Sequence, residues 1–433
     1  MHLATGAGFA TLMAATLPAQ PSRKAPEPLG TREALLTVTR VHVPSKAFAM
    51  TRDVYIWIPN TESPTAARYP VLVFPDAEEY GQFRAALANV QFLIDRRLIP
   101  PMIVAGVPFV KDRRHELSPP ATGSTAKLYP KAGGAGQTLQ FMIDELLPWI
   151  DAHYPTLPVR LFAGHSLGGN LALYAMETRP EAFRVVIAMS PAMYWNDGEF
   201  GKEVAQRLAA DTLHPRTLFL MSGGQEPSID QPVSTFAAYL TALMDSAKGN
   251  RLTFERRQYP EDVHEMTPLP GLVDGLRMAF RPMLVPADSV VTHFSERNTT
   301  DSAEIAGAVS ALESRYSAAT SSLGLPGLFP EQALDLLGSY ALQAKQANLA
   351  VTLFRENRDR YPTSSNTHES LGEALAAGAD TTRAVDEFRS SISLARQEAK
   401  SVSVLVRAQA RDVTAQARSQ LQALHKNDRP SAN

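Results

Sequence analysis

The chain has 433 residues and 44% of them are hydrophobic, enough for two to three domains with sizeable cores. Its formal net charge is −2 and no long basic run appears, which argues against nucleic acid as a partner. It contains no cysteine, so a disulfide framework, thiol chemistry and lipid attachment through cysteine are excluded.

The N-terminal residues 1–19 are mostly small and apolar, and Leu17-Pro18-Ala19 offers a cleavage site before Gln20. The segment is too short to span a bilayer comfortably, and only His2 stands where a secretory signal normally carries Lys or Arg. We predict a signal peptide and export to the periplasm or the exterior; a disordered Ala-rich tail on a cytoplasmic protein is the alternative. Residues 20–31, rich in Pro and polar side chains, are predicted to form a linker. No later segment is apolar enough to cross a membrane.

Residues 32–285 alternate between short apolar runs and helix-like stretches, which predicts an α/β domain with a mostly parallel sheet covered on both faces. Eight apolar or β-branched runs are the candidate strands: 34–43, 53–58, 71–75, 102–107, 159–163, 184–189, 217–221 and 252–258. Helix-like stretches separate most of the later runs: 83–97, 137–151, 170–178 and 231–247.

The most informative motif of this domain is Gly164-His165-Ser166-Leu167-Gly168-Gly169, between a strand-like run and a helix-like run. In a G-x-S-x-G turn of this kind the serine occupies a strained backbone position above the sheet. The small residues on either side let the strand and the helix approach closely. We therefore predict that Ser166 is a nucleophile and that the N–H of Leu167 faces a developing oxyanion. An ordinary turn serine is the alternative.

A serine nucleophile needs a base, and in this fold class the histidine comes last in the chain. Between Ser166 and residue 290 there are two histidines. His214 precedes a strand-like run, whereas His264 follows one and lies in a loop before a helix-like stretch. Ligands bind at the carboxyl ends of strands in open α/β sheets, so His264 is the predicted base, and a surface loop histidine is the alternative.

The acid that orients the base should lie in the loop after the strand-like run 217–221. Glu226 and Asp230 both lie there. Glu226 is nearer the end of the strand, so we prefer Glu226 and keep Asp230 as the alternative acid. A third reading is that neither contributes, because carboxylates in loops are mostly solvated.

Several blocks together resemble the Putative esterase family, which contains esterase D and the ferric-enterobactin esterases. The resemblance covers about residues 32–285. The blocks that carry it are Tyr69-Pro70-Val71-Leu72-Val73-Phe74-Pro75-Asp76, Arg113-Arg114-His115-Glu116-Leu117-Ser118-Pro119, Gly133-Gly134-Ala135, Glu145-Leu146-Leu147-Pro148, Ser190-Pro191-Ala192-Met193-Tyr194-Trp195 and the histidine His264.

The resemblance implies an α/β-hydrolase fold, His264 as the catalytic histidine and the N–H of Ala77 as a second donor to the oxyanion. The family often has Asp-Gly after the first central strand, where this chain has Asp76-Ala77. We also consider Arg113 and Trp195 as substrate-pocket residues. The alternatives are a structural salt bridge for Arg113 and a core aromatic for Trp195.

We predict a serine esterase that needs no metal or cofactor, because the triad types Ser166, Glu226 and His264 occur in the expected order. The segments 115–119 and 264–268 begin like a zinc helix motif, but both place Pro where the second His is required. An acyltransferase with the same triad and a non-catalytic interaction protein on a hydrolase-like platform are the alternatives. The expected partner is a small-molecule ester: a siderophore trilactone, a feruloylated sugar, a short acyl ester or a thioester.

The pattern changes after residue 286, where Ala, Leu, Ser and Gln dominate. Leu337-Gly338, Ala350 and Phe354 recur 34 residues later as Leu371-Gly372, Ala384 and Phe388, which is the tetratricopeptide period. We predict a linker at 286–302, a helical tetratricopeptide-like domain at 303–425 and a disordered tail at 426–433. The repeats could bind a protein or peptide, or they could simply pack on the hydrolase domain.

Overall fold

The computed structural model describes residues 36–59, 68–77, 81–325, 329–400 and 404–427. Every element below belongs to the unit Val38–Asn433. The predicted signal peptide, the linker at 20–31 and residues 428–433 of the predicted tail lie outside the described residues. Within the described residues, no helix is both long and apolar enough to cross a bilayer.

Eight strands form one sheet, as the sequence predicts. They are β1 Thr39–Ser45, β2 Met50–Trp57, β3 Tyr69–Pro75, β4 Ile103–Val107, β5 Thr156–His165, β6 Val185–Met189, β7 Arg216–Gly223 and β8 Leu252–Tyr259. Their order is β1-β2-β4-β3-β5-β6-β7-β8. The pairs β1–β2 and β2–β4 are antiparallel and all other pairs are parallel. The prediction of a mostly parallel sheet is confirmed.

The central strands are buried on both faces, because helices cover both sides of a parallel sheet. Every residue of β6 is buried, as its unbroken apolar sequence VVIAM requires. The edge strand β8 has the sequence LTFERRQY and is only partly buried.

Nine α-helices precede residue 281 in the described part: α1 Gln82–Asp95, α2 Arg113–Leu117, α3 Gly123–Leu128, α4 Ala135–Gln140, α5 Leu147–His153, α6 Leu167–Thr178, α7 Glu199–Ala210, α8 Pro227–Ser246 and α9 Pro268–Phe280. A π-helical segment, Phe141–Leu146, joins α4 to α5.

The six parallel strands place two sets of loops at opposite edges of the sheet. Their carboxyl ends include His165, Met189 and Gly223, which are the last residues of β5, β6 and β7. The amino ends of β6, β7 and β8 lie at the other edge. The loops at the carboxyl edge carry the predicted triad, which is where open α/β sheets bind ligands.

The C-terminal part is helical, as predicted. Its helices are α10 Ala287–Arg297, α11 Ser302–Leu323, α12 Glu331–Gln343, α13 Ala347–Arg360, α14 Ser365–Ala377, α15 Thr381–Glu398 and α16 Val404–Asn427. Helix α10 lies in the segment 286–302 that was predicted to be a linker. Ala287, Val290, Val291 and Phe294 follow the i, i+3, i+4, i+7 spacing of a helix face, and all four pack in the helical part of the structure. Its remaining positions are mostly polar, which hides the pattern in the sequence.

The two repeats use the same contact between their helices. A Cβ on Gly338 of α12 would lie 2.6 Å from the ring of Phe354 on α13. A Cβ on Gly372 of α14 would lie 2.7 Å from the ring of Phe388 on α15. In each pair the glycine therefore makes room for the phenylalanine, which supports the predicted repeat. The tetratricopeptide assignment and the domain boundaries stay predictions.

The end of α11 packs against the hydrolase part. Leu323 and the following Leu325 belong to the same apolar cluster as Val159, Leu161 and Val185 of the central sheet. Leu323 is 7% exposed and Leu325 is 8% exposed. Residues of the helical part thus complete one of the two apolar layers that cover the sheet.

Candidate active site

Ser166 lies in a sharp turn between β5 and α6. Its backbone has φ 57° and ψ −121°, a strained region for a residue with a side chain. A Cβ on Gly164 would lie 2.2 Å from the carbonyl oxygen of Gly168, so only glycine permits the crossing of strand and helix at this point. The N–H of Ser166 donates to the carbonyl of Met189 on β6 at 2.9 Å. The local chain therefore fixes Ser166 above the carboxyl edge of the sheet.

Two backbone N–H groups lie beside this turn. Leu167 is the first residue of α6, so its N–H has no partner within the helix. The loop after β3 packs on the same turn, because a Cβ on Gly168 would lie 3.1 Å from the Pro75 ring and 3.3 Å from Oδ2 of Asp76. No acceptor among the described residues takes the N–H of Leu167 or of Ala77. Neither N–H group has a backbone acceptor there, and their role as oxyanion donors stays a prediction.

His264 lies in the loop between β8 and α9 and its ring binds a carboxylate. Its Nδ1 is 2.5 Å from Oε2 of Glu226. The carboxylate of Glu226 is buried, with 5% of its side chain exposed, whereas 28% of the His264 side chain is exposed. An Nδ1–H that donates to Glu226 leaves the lone pair on Nε2, which is the tautomer that a general base needs.

The other oxygen of Glu226 is also held. Its Oε1 accepts the N–H of Gly223 at 2.5 Å and the hydroxyl of Ser190. Ser190 is fully buried and has φ 44°, so a strained backbone places this hydroxyl. Donors on one oxygen and the His264 ring on the other fix the plane of the carboxylate toward His264.

Asp230 faces a different set of groups. Its Oδ1 accepts from the Arg256 guanidinium at 2.7 Å and from the hydroxyl of Ser222 at 2.6 Å. Its Oδ2 accepts from the amide of Gln258 at 2.7 Å. Asp230 therefore ties the start of α8 to β8, and the carboxylate beside His264 is that of Glu226.

His165, the residue before Ser166, forms a hydrogen bond with the loop that carries His264. Its Nε2 lies 3.0 Å from the carbonyl oxygen of His264, and its Nδ1 lies 3.3 Å from the amide nitrogen of Gln82. A carbonyl only accepts, so Nε2 of His165 donates and Nδ1 accepts. Burial, and then the positive charges of His264 and Arg113, lower the pKa of His165 to about 3. This histidine is thus a neutral structural donor at the ordinary pH of an enzyme.

The same contacts bring the turn that carries Ser166 close to the loop that carries His264. The rings of His165 and His264 are 4.4 Å apart between centroids, and Ser166 follows His165 directly. The hydroxyl of Thr267 donates to the carbonyl of His264 at 2.8 Å, which adds a second hydrogen bond to that carbonyl. Within the described residues no hydrogen bond joins Oγ of Ser166 to the His264 ring. Such bonds are often long in free enzymes and tighten when substrate binds.

Arg113 forms a two-pronged salt bridge with Asp76. Its Nε and Nη2 lie 2.7 Å from Oδ1 and Oδ2 of Asp76, respectively. Asp76 is 2% exposed and has φ 56°, so the pair holds a strained residue directly before Ala77. The arrangement matches the salt-bridge alternative for Arg113 and supports the backbone that carries the second N–H donor.

Trp195 is 2% exposed and stacks on Tyr129, with ring centroids 5.8 Å apart. It therefore lies behind the surface, whereas Tyr129 and Tyr194 line a cavity of about 840 Å³. This cavity is formed by α3, the segment after β6 and the first turns of α8. The wall also includes Gly201 and Lys202 of α7, and none of the side chains of Ser166, His264 and Glu226 lines this cavity.

Sequence reasoning missed Asp76, His165 and Ser190 as members of the site. Asp76, Ser190 and Ser166 have in common a positive φ on a residue other than glycine directly after a strand. A polar residue directly after a buried strand is the signal that could have singled out Asp76 and Ser190. For His165 the sequence offers only its place inside the G-x-S-x-G turn. The described residues contain no cluster of three or more His, Asp or Glu side chains suited to a metal ion.

Comparison with known proteins bears on the family and the fold. The family model described as Putative esterase matches residues 45–267, just over half of the chain. Ferri-bacillibactin esterase BesA of Bacillus subtilis (strain 168) is 29% identical over 160 residues, which cover 34% of this chain and 55% of that relative. The chain thus spans about half the length of this curated relative.

Two solved structures share the fold. An IroE-like serine hydrolase from Shewanella oneidensis has a TM-score of 0.60 and 22% identity, with 75% of this chain and 100% of that chain covered. A protein from Capnocytophaga ochracea DSM 7271 has a TM-score of 0.56 and 16% identity, with 88% of this chain and 100% of that chain covered. The predicted fold class, an α/β hydrolase followed by a helical region, is confirmed.

Proposed function

This chain belongs to the Putative esterase family, and from that premise we propose that it is a serine hydrolase that cleaves carboxylic esters through Ser166, His264 and Glu226. The observation that carries the proposal is the pairing of Nδ1 of His264 with Oε2 of Glu226 at 2.5 Å, beside the strained turn of Ser166. Such a pair fixes the tautomer in which Nε2 can take a proton from a serine hydroxyl.

The first half of the reaction forms an acyl-enzyme. His264 takes the hydroxyl proton as Oγ of Ser166 attacks the ester carbonyl. The N–H groups of Leu167 and Ala77 hold the oxyanion, and loss of one such donor typically costs on the order of 100-fold in rate. The imidazolium then gives its proton to the leaving alcohol, and Glu226 stabilises the positive charge in the meantime.

The second half repeats the steps with water. His264 takes a proton from the water as it attacks the acyl carbon, and the proton returns to Oγ of Ser166 as the acid leaves. His165 stays neutral throughout because its pKa is about 3. His165 therefore adds no positive charge that would oppose the formation of the His264 imidazolium. The reaction needs no metal or cofactor.

We infer a bulky, aromatic acyl group of the siderophore-ester kind as the substrate class. The relative from Bacillus subtilis is named for such an ester. The cavity of about 840 Å³ carries the rings of Tyr129, Tyr194 and Phe236, a lining suited to aromatic rings. The names of the relatives support hydrolysis rather than acyl transfer or a purely binding role. Export and a protein or peptide partner on the helical repeats stay predictions from the sequence.

The test combines covalent labelling with turnover. A fluorophosphonate probe is expected to label the wild type, and Ser166→Ala is expected to abolish both the labelling and the hydrolysis of p-nitrophenyl esters and of a ferric catecholate siderophore ester. The matched control is Ser246→Ala, an exposed serine at the end of α8, which should behave as the wild type.

Two results would contradict the proposal at different levels. A folded wild type that the probe does not label would overturn the catalytic role of Ser166. Turnover of short p-nitrophenyl esters without any turnover of the siderophore ester would overturn only the substrate class.

A further inference from the structure

A second cavity lies at the edge of the sheet opposite the triad. Its volume is about 660 Å³, within the range of small-molecule sites. Its walls come from β5 at 158–160, the amino ends of β6, β7 and β8, the end of α9 and the end of α11 at Ser321–Gly324. The strands separate it from Ser166, so it is a different site from the one described above.

The walls of this cavity carry four arginines, and two of them are neutralised. Arg160 pairs with Asp151, and Arg216 lies 2.6 Å from Asp211. The same Asp211 also faces His214, at 3.1 Å. The one carboxylate in the wall, Glu181, is itself paired with Arg179 at 3.0 Å. Each of these carboxylates already has a cationic partner, so none of them neutralises the other two arginines.

Arg184 and Arg251 have no carboxylate within ion-pair distance in the part of the chain that the structure describes. The guanidinium of Arg184 donates to the carbonyls of Pro215 and Ser322, which orient it but carry no charge. Burial, and then the positive charge of Arg251, lowers the pKa of Arg184. Arg184 is half-buried and Arg251 is exposed, and both line the cavity, so an anion bound between these two like charges would be stabilised by both.

We propose that this cavity binds an organic anion that carries a phosphate group. A guanidinium fork matches the oxygens of a phosphate, and one phosphate monoester brings close to two negative charges and three acceptor oxygens. A single group of this kind can therefore neutralise Arg184 and Arg251 together, whereas a single carboxylate brings one charge. The remaining volume of the cavity accommodates the organic part.

The ligand would also join two parts of the fold. Arg184 precedes β6 in the hydrolase part, and it binds Ser322 at the end of α11 in the helical part. An anion between Arg184 and Arg251 lowers the repulsion at this junction. Binding to the folded state alone raises the unfolding temperature by mass action.

The test uses the full-length protein and calorimetric titration with inorganic pyrophosphate, inorganic phosphate and citrate at constant ionic strength. We expect pyrophosphate to bind the wild type and to raise its Tm. Arg251→Ala is expected to weaken binding by about tenfold or more and to abolish the rise in Tm. The matched control is Arg207→Ala, which removes one exposed arginine from α7 outside the cavity and should bind as the wild type.

Ester hydrolysis by Arg251→Ala should equal that of the wild type, which shows that the variant is folded. Absence of pyrophosphate binding to the wild type would overturn the proposal. Equal weakening in Arg207→Ala would also overturn it, since the effect would then be one of net charge. Tighter binding of citrate than of pyrophosphate would overturn the phosphate class.

Discussion

Glu226 and Asp230 are four residues apart, yet they face different groups because a helix begins between them. Glu226 directly precedes α8, which starts with Pro227 at its first position, and Asp230 lies one turn further on. The sequence pattern predicts this helix at 231–247, which would leave both acids in one loop. Pro227 is a residue that favours the first turn of a helix, and it was the available signal for the earlier start.

The two acids should therefore respond differently to the loss of their charge. Glu226→Gln keeps the size of the side chain but removes the charge that faces the His264 imidazolium, so kcat is expected to fall on the order of 10⁴-fold. Asp230→Asn should keep most of kcat and lower the free energy of unfolding by about 1 kcal/mol, since Arg256 loses an ion-pair partner. Steady-state kinetics measures kcat for both variants, and urea denaturation measures their free energies of unfolding. The reverse pattern would identify Asp230 as the acid.

The sequence is sufficient to propose Ser166, His264 and Glu226, because each follows a strand-like run and the chain order is fixed in this fold class. It does not carry enough information for Asp76, His165 and Ser190. Their roles depend on contacts with Arg113, the carbonyl of His264 and Glu226, all of which are 36 or more residues away in the chain. Contacts of that range follow from the order of the strands in the sheet, which no local pattern contains.

Among the helices, α14 carries a carboxylate in an unfavourable place. Glu369 is 4% exposed, and its Oε1 has no hydrogen-bond partner among the described residues. Burial, and then the negative charges of Glu373 and of Asp335 on α12, raise the pKa of Glu369 to about 7. Arg97 also acts on Asp335, whose own pKa is raised mainly by burial. The protonated form of Glu369 is therefore the one that fits the folded helices.

The sign of the pH dependence follows from the raised pKa. Above its ordinary value of 4.5 the unfolded chain releases the proton of Glu369, whereas the folded chain keeps it until about pH 7. The free energy of unfolding should therefore fall as the pH rises through this range, by on the order of 1–3 kcal/mol for this group. Glu369→Gln, which is neutral at every pH, should remove that fall and be more stable than the wild type at pH 8.

Urea denaturation from pH 5 to pH 8 measures the effect. Glu296→Gln, which changes an exposed glutamate on α10, is the matched control and should follow the wild-type profile. A Glu369→Gln variant that is less stable than the wild type at pH 8 would show that the carboxylate is charged and satisfied in the fold.

The helical repeats show what a periodic pattern can predict. The spacing of Gly338 and Phe354 recurs in Gly372 and Phe388, and it predicts the close contact that each pair makes. Helix α10 was missed because its apolar face is short and the rest of its surface is polar. A pattern of 3.6 residues is visible in a sequence only when enough turns repeat it.

For the molecule as a whole, the hydrolase and helical parts share an apolar layer. Leu323, at the end of α11, packs in the cluster that also contains Leu161 and Val185 of the sheet. All three tryptophans, Trp57, Trp149 and Trp195, lie in the hydrolase part, so their fluorescence reports on that part alone. Because the two parts share this apolar layer, we expect them to unfold together.

Leu323→Ala tests this coupling. It removes a buried side chain of the helical part, and we expect the tryptophan-detected free energy of unfolding to fall by about 2–4 kcal/mol. Leu213→Ala is the matched control, because Leu213 is 75% exposed and its loss should change the value little. A tryptophan transition that Leu323→Ala leaves in place would mean that the helical part contributes nothing to the stability of the sheet.

The position of Leu323 and Leu325 has a consequence for biosynthesis. All the proposed catalytic side chains have left the ribosome once His264 has emerged, but the nascent sheet still lacks part of its apolar cover. Val159 and its neighbours remain open to water, or to a chaperone, until some sixty further residues have been translated. Maturation of the catalytic half thus waits for a segment that takes no part in the chemistry.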